Sequence, residues 1–427
     1  MPPLRICAGL AALAALAPLA ALAGNPLIPT VFAADPSAHV WPGDDRLWLY
    51  TSHDQPGTNT YDTMISYHVF STTDLVNWTD YGVVLHLKDV SWAASHMWAI
   101  DCVLRDGTYY LVYCAIEKGT GFFRVALATS PRPQGPFTDI GPIQGIERGM
   151  DPSLFIDDDN QPYLLWAGGR CRIARLTPDL RSVVPGSIID LTSQLPDFFE
   201  GPWLHKRAGK YYLSYPGLPG RKWPQHMYYA VADNPLGPYT GQGVYMREFP
   251  ARSDTNLYDA AGALKPIVPT QEGVAVDGLR PGPSRVTVLL EAEAAPFACG
   301  ALAGATTATA LPGYSAGGYV TGFKAPHNSV TVMVQSAQAR KARLKIRYAA
   351  PAGDQRLKLL VNHTSLQVPD LDPKEYEKYL SFPAAADWAE FDCGVVSLRE
   401  GDNFLKLYTG RPSADISIDW FKLEPLP

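Results

Sequence analysis

Three carboxylates stand at turns marked by proline or glycine: Asp35 in Ala34-Asp35-Pro36-Ser37, Asp151 in Met150-Asp151-Pro152-Ser153, and Glu200 in Glu200-Gly201-Pro202-Trp203. Separated carboxylates that converge on one cleft suit glycoside hydrolysis, where one protonates the leaving oxygen and another activates water. A proline pushes the residue before it toward extended backbone, which predicts that Asp35 and Asp151 end strands with their side chains aimed alike. Two copies of Asp-Pro-Ser also suggest one structural slot used twice in a repeat fold. Asp-Pro is equally a common turn opener, so the three acids gain meaning only from the elements that place them.

Those elements read as a repeat. Segments 46–50, 108–113, 161–166 and 210–215 are short runs rich in Tyr, Trp and Leu, the composition of packed strands. Asp106-Gly107, Asp159-Asn160 and Ala208-Gly209 are hairpin-type turns just before the last three. The second and fourth units leave through matching loops, 130–138 and 233–240, each with Gly-Pro before an aromatic residue. Several short strands recurring at about 50 residues are the mark of a β-propeller. Ligands in a propeller bind at the central axis, where the innermost strands begin. Asp35, Asp151 and Glu200 each precede a repeat strand, so ring closure predicts that all three meet there.

The 427 residues carry 36 basic and 42 acidic side chains, a net charge of −6, with no basic stripe. That balance argues against a nucleic-acid partner. Residues 1–23 read as an export signal: Arg5, an apolar run over 8–22, and small residues at Ala21-Leu22-Ala23. No later stretch is apolar enough to span a bilayer, so the expected location is the periplasm or the medium. Past the signal the cysteines are Cys102, Cys114, Cys171, Cys299 and Cys393. An odd count without Cys-x-x-Cys spacing argues against a zinc site or a disulfide scaffold, though Cys299 and Cys393 fall in one region and could pair.

After Pro281-Gly282-Pro283-Ser284 the pattern changes to short alternating strands at 286–291, 329–334, 342–348, 357–361, 403–408 and 416–421. These predict a β-sandwich of jelly-roll type. The expected organisation is all-β: signal 1–23, propeller 24–280, linker 281–286 and sandwich module 287–427.

With these residues in hand, the chain resembles glycoside hydrolase family 43 followed by a carbohydrate-binding module of family 6 or its relative, family 35. The resemblance rests on segments 25–29, 34–37, Ser71 to Trp78, Met97-Trp98-Ala99, 150–153 and 200–203. It implies a five-bladed propeller and hydrolysis with inversion, needing no cofactor for catalysis. In that scheme Asp35 is the general base, Glu200 the general acid, and Asp151 holds the acid and keeps its pKa high. Base and acid would stand about 6.5–9.5 Å apart, leaving room for water. Trp98 resembles an aromatic of the sugar subsite, with packing inside a blade as the other reading. In the module, Glu291, Glu293 and Asp419 resemble ligands of a structural calcium, the alternative being a solvated strand face. Tyr314 and Trp388 are candidates for sugar stacking or for packing.

The fifth blade departs from the family pattern. After Pro250 the chain passes through Ala251 to Thr255 straight into a segment resembling the end of the catalytic domain, so about 40–50 residues, most of a blade, are missing. Against the family pattern, Arg252 resembles what is left of that blade's active-site Arg, and the usual His has no counterpart. The resemblance implies an α-L-arabinofuranosidase or β-xylosidase acting on arabinoxylan or related plant cell-wall polysaccharide. A catalytically impaired carbohydrate-binding protein is the alternative that the shortened blade raises.

Overall fold

The alternating aromatic runs form the second strand of each of four blades, and turns of left-handed backbone precede them. Asp106 and Gly107 (φ 48° and 74°), and Ala208 and Gly209 (48° and 74°), have the paired positive φ of a tight hairpin. The computed structural model describes residues 28–55, 61–223, 225–247, 285–297, 299–362, 377–410 and 414–426. Blade one comprises β1 (Phe32–Val40), β2 (Leu47–Asp54), β3 (Ser66–Thr72) and β4 (Asn77–His86). Blade two is built from β5 (Ala93–Ser95), β6 (Ile100–Arg105), β7 (Thr108–Glu117), β8 (Phe123–Ser130) and β9 (Thr138–Pro142). Blade three is β10 (Met150–Ile156), β11 (Pro162–Ala167), β12 (Arg172–Arg175) and β13 (Ile189–Asp190). Blade four contains β14 (Trp203–Arg207), β15 (Lys210–Gly217), β16 (His226–Ala232) and β17 (Thr240–Arg247). Neighbouring strands within each blade pair antiparallel.

The apolar side chains form one core per blade junction. Trp48, Tyr50, Tyr67, Leu111 and Tyr113 pack between blades one and two. Val112, Leu127, Leu154 and Trp166 fill the next junction, and Leu165, Ile173, Leu213 and Tyr215 the third. The repeat aromatics are thus packing residues. Residues 248–284 lie outside the described residues, and with them the expected remnant of the fifth blade.

The C-terminal module is a β-sandwich. Its strands are β18 (Arg285–Glu291), β19 (Ala301–Ala303), β20 (Thr306–Ala308), β21 (Tyr319–Thr321), β22 (Ser329–Ser336) and β23 (Arg340–Ala350), followed by β24 (Gln355–Val361), β25 (Glu377–Phe382), β26 (Ala385–Leu398), β27 (Gly401–Tyr408) and β28 (Ser417–Pro425). One face is the sheet β19-β22-β27-β24-β25; the other holds β18, β20, β21, β23, β26 and β28. Val288, Ile346, Leu359, Leu405 and Phe421 are buried together in one core. β18 starts inside the expected linker and pairs parallel with β4, from Arg285 opposite Asn77 to Val288 opposite Asp80. Blade one and the module therefore share a single sheet. Buried His68 sits within it, 3.2 Å from Asp80 Oδ1 and 2.6 Å from Gln335 Oε1 of the module.

The structure corrects the cysteine expectation: Cys299 and Cys393 are both free. Cys299 lies in the loop between β18 and β19 near Lys88, whereas Cys393 is buried on β26.

At the propeller axis, Asp101 of β6 is buried and fully engaged. Its Oδ1 accepts from Ser37 Oγ (2.5 Å) and Cys102 N (2.8 Å) and lies 2.9 Å from His39 Nε2. Its Oδ2 accepts from Ser153 Oγ (3.1 Å) and Leu154 N (2.9 Å). One carboxylate therefore ties blades one, two and three. Asp101→Ala would orphan these donors and is expected to destabilise the full chain by about 3 kcal/mol or more, with Asp101→Asn costing less. Urea unfolding midpoints of the two variants check this; an unchanged midpoint for Asp101→Ala would refute the tie.

Candidate active site

Both Asp-Pro-Ser segments fall at β-bulges, one between Ala34 and Ser37 in β1, the other between Met150 and Ser153 in β10. They share one conformation, but it is not the extended one that the following proline predicts. Asp35 has φ 48° and Asp151 φ 50°, both left-handed. Aspartate is among the few residues that tolerate this region, and bulges re-aim side chains beside active sites. The serine of each motif is held by Asp101, which fixes the bulge on either side of the axis.

Glu200 arrives by a different device. It lies outside the strands, just before β14, and Gly201 follows with φ 52°. A Cβ at Gly201 would crowd Pro216 at 3.2 Å, which together with its positive φ favours glycine at this turn. Gly201 N donates to Asp151 Oδ2 at 3.3 Å, and Gln225 Nε2 donates to Glu200 Oε1 at 2.6 Å. Ser52 Oγ donates to Asp35 Oδ2 at 2.5 Å.

These segments border a cavity of about 640 Å³, lined among others by Asp35, Asp151, Gly201, Trp203, Tyr229 and Tyr245. Burial pushes the Asp151 carboxyl up to about 7, with the charges of Glu200 and then Asp35 adding to it and the Gly201 N–H opposing. Glu200 is raised first by burial and then by Asp35, against the lowering bond from Gln225. Asp35 is raised by burial and lowered by Ser52. It lies deep in the protein yet its residue is open to solvent through the cavity. Water that reaches it moderates its rise, whereas Asp151 is only 7% exposed. The three acids thus form one coupled set that retains protons into the range where many carboxyls have lost them.

The other predicted residues scatter. Trp98 is half-buried against Phe123 (centroids 4.6 Å apart) and His96, next to the Ala99 and Ile100 that line the cavity. Arg252 lies outside the described residues. Tyr314 and Trp388 do come together around Tyr319 at one end of the module, with centroids 6.0 and 5.3 Å from it. Arg347 lies over Trp388, whose Nε1 donates to Pro312 O.

Glu291, Glu293 and Asp419 surround the loop that follows Tyr314. Ser315 Oγ donates to Glu291 Oε2 (2.7 Å), Ser315 N to Asp419 Oδ1 (3.0 Å) and Gly317 N to Glu293 Oε1 (2.8 Å). Among the described residues, no three His, Cys, Asp or Glu side chains are gathered as a metal-holding group. The expected trio is corrected on this point, because Arg347 already pairs with Asp419. Glu291 and Glu293 are both raised by burial, against the lowering charge of Arg132. Burial, with Glu293 next, pushes Glu291 up to about 8, and Glu293 Oε2 is buried without a partner.

Sequence reasoning passed over Asp101, Ser52 and Gln225. Asp101 left one readable signal, a carboxylate inside the apolar run Ile100-Asp101-Cys102-Val103, since a buried Asp is almost always paired. Ser52 and Gln225 carry no local signal.

The chain matches Glycosyl hydrolases family 43 over residues 23–262 and Carbohydrate binding module (family 35) over residues 290–377. It is 36% identical over 274 residues to a xylosidase/arabinosidase 43A of Humicola insolens, covering 51% of this chain and 81% of that protein. A β-xylosidase of Xylanibacter ruminicola is 33% identical over 268 residues, covering 52% and 81%. A solved family 43 β-xylosidase/α-arabinofuranosidase from a compost microbial metagenome shares 31% identity over 52% of this chain and 80% of its own, with a TM-score of 0.46. The chain belongs to glycosyl hydrolase family 43 and is a glycosidase joined to a family 35 carbohydrate-binding module.

Asp151 couples this site to stability. With its pKa near 7 folded against an ordinary 3.8, the folded state binds the extra proton between those values. Its contribution is therefore most favourable below about pH 4 and is lost as pH rises through 7. Asp151→Asn keeps an acceptor for Gly201 N and removes the charge. It is expected to raise Tm at pH 8, by about 2–4 °C for each kcal/mol relieved, with little change at pH 4. Thermal melts at the two pH values check this, and an equal shift at both would contradict it.

Proposed function

We propose that this protein is an exported, inverting glycosidase that releases α-L-arabinofuranose or β-D-xylose from arabinoxylan or a related plant cell-wall polysaccharide. The observation that carries this reading is that Asp35 and Asp151 line one cavity with Gly201, the residue after Glu200, and that Glu200 is close enough to couple electrostatically with both, all three carboxyls being raised. The relatives named xylosidase, arabinosidase and β-xylosidase support the pentose. Export rests on residues 1–23, and the family match begins at residue 23. A mass for the exported protein starting well upstream of residue 24 would argue against cleavage there.

In this mechanism ionised Asp35 takes a proton from the water that attacks the anomeric carbon. Protonated Glu200 gives its proton to the leaving oxygen as the glycosidic bond breaks. Burial and the Asp35 charge keep that proton on Glu200 until it is needed. Asp151 acts as a positioning residue through the Gly201 N–H beside Glu200. The module docks the enzyme on the polysaccharide.

Activity is expected to rise as Asp35 ionises and fall as Glu200 loses its proton, giving a bell-shaped pH profile. Asp35→Asn on 4-nitrophenyl α-L-arabinofuranoside or β-D-xyloside, and Glu200→Gln on xylo-oligosaccharides, plain or arabinofuranosyl-substituted, whose sugar leaving group needs the proton, should each lower kcat by about 10²–10⁴-fold. Proton NMR should show inversion. Full activity in Glu200→Gln, or retention, would refute the scheme. A folded chain that binds xylan but releases no pentose would leave carbohydrate binding as its function.

Calcium between Glu291 and Glu293 is proposed on the orphaned Glu293 Oε2 and the raised Glu291. Calcium should then raise the Tm of the full chain, EDTA should reverse it, and Glu293→Gln should abolish the response. No shift in the unaltered chain would remove the proposal.

A further inference from the structure

The loop between β15 and β16 returns to the end of blade four where Glu200 enters β14. It carries Trp223, which is 67% exposed, while the other nine tryptophans are buried or half-buried. Phe199, the residue before Glu200, meets Trp223 edge to face, with centroids 5.9 Å apart and planes at 74°. Two residues beyond Trp223, Gln225 donates to Glu200 Oε1 at 2.6 Å. One short loop therefore both holds the acid and presents an aromatic ring beside it. Isolated exposed apolar residues are common. This one is set apart by its link to Glu200 through two residues.

A general acid lies against the oxygen it protonates, so the group departing with that oxygen must lie beside the acid. The apolar C–H face of a pyranose can then rest on an indole, much as other flat apolar surfaces do. We propose that Trp223, backed by Phe199, is the platform for the sugar ring on the leaving-group side, a pyranoside of the polysaccharide main chain. This rests on Glu200 being the acid. Trp223 then determines specificity for a sugar leaving group without touching the transferred pentose, and Gln225 is the positioning residue that sets the acid against it.

The test uses the full chain and two leaving groups. Xylotriose, plain or arabinofuranosyl-substituted, departs with a sugar; the matching glycosyl fluoride departs with a single atom. Trp223→Ala is expected to lower kcat/KM on the oligosaccharide by about tenfold and to leave the fluoride within about twofold. Trp223→Phe should recover most of the loss. An equal loss on both substrates would show that the ring acts only by supporting Glu200, and no loss on either would remove the platform; both outcomes overturn the proposal. If the unaltered chain turns over neither substrate, the functional reading fails separately. The platform is then judged by xylotriose quenching of tryptophan fluorescence: quenching lost in Trp223→Ala supports it, and quenching equal in the two proteins refutes it.

Discussion

The buried carboxylate of Asp101 is the constraint on which the site depends. It accepts from the serine of both Asp-Pro-Ser motifs and from the backbone of blade three, while its own strand belongs to blade two. A buried charge of this kind is tolerated only when hydrogen bonds satisfy its lone pairs. The three blades must therefore hold their relative positions for Asp101 to remain solvated by protein. The same bonds pin the two bulges, and the bulges turn Asp35 and Asp151 toward the cavity through left-handed backbone. Structural support and catalytic geometry are one network.

The site stores unfavourable electrostatics. Asp35, Asp151 and Glu200 are crowded at the axis, and burial raises all three. An arrangement that makes the fold less stable at neutral pH keeps protons on these carboxyls, which is what the proposed general-acid step requires. After burial, Glu200 raises Asp151 and Asp35 raises both, so the protons at this site belong to a coupled set and not to one residue. Gln225 works in the opposite direction, stabilising the ionised acid by hydrogen bonding.

The module is not a bead on a string. β18 extends blade one by pairing parallel with β4, and His68 bridges Asp80 to Gln335 across that junction in buried surroundings. A further hydrogen bond across the junction runs from Ala337 N to Thr30 O at 2.7 Å. The end of the module around Trp388 is thereby held at a set position relative to the cavity, on the same sheet as the strand carrying Asp35.

Much of this was legible in the residues. Alternating aromatics, preceded in three of the four by hairpin-type turns, predicted the second strand of all four blades, because packing and turn chemistry are local. Short alternating runs predicted β18, β22, β23, β24, β27 and β28 of the module for the same reason. The three acids were readable because proline and glycine mark their turns. Their left-handed backbone was not, since a bulge anchored by Asp101 overrides the local preference of a residue before proline. Nor were the partners that set their chemistry: Ser52 for Asp35, Gln225 for Glu200, and Arg347, which takes Asp419 from the expected cation site. Local pattern determined the elements and named the reactive side chains. Only the tertiary structure decided which groups face them, because burial, charge coupling and hydrogen bonds across blades act between residues that the sequence keeps far apart.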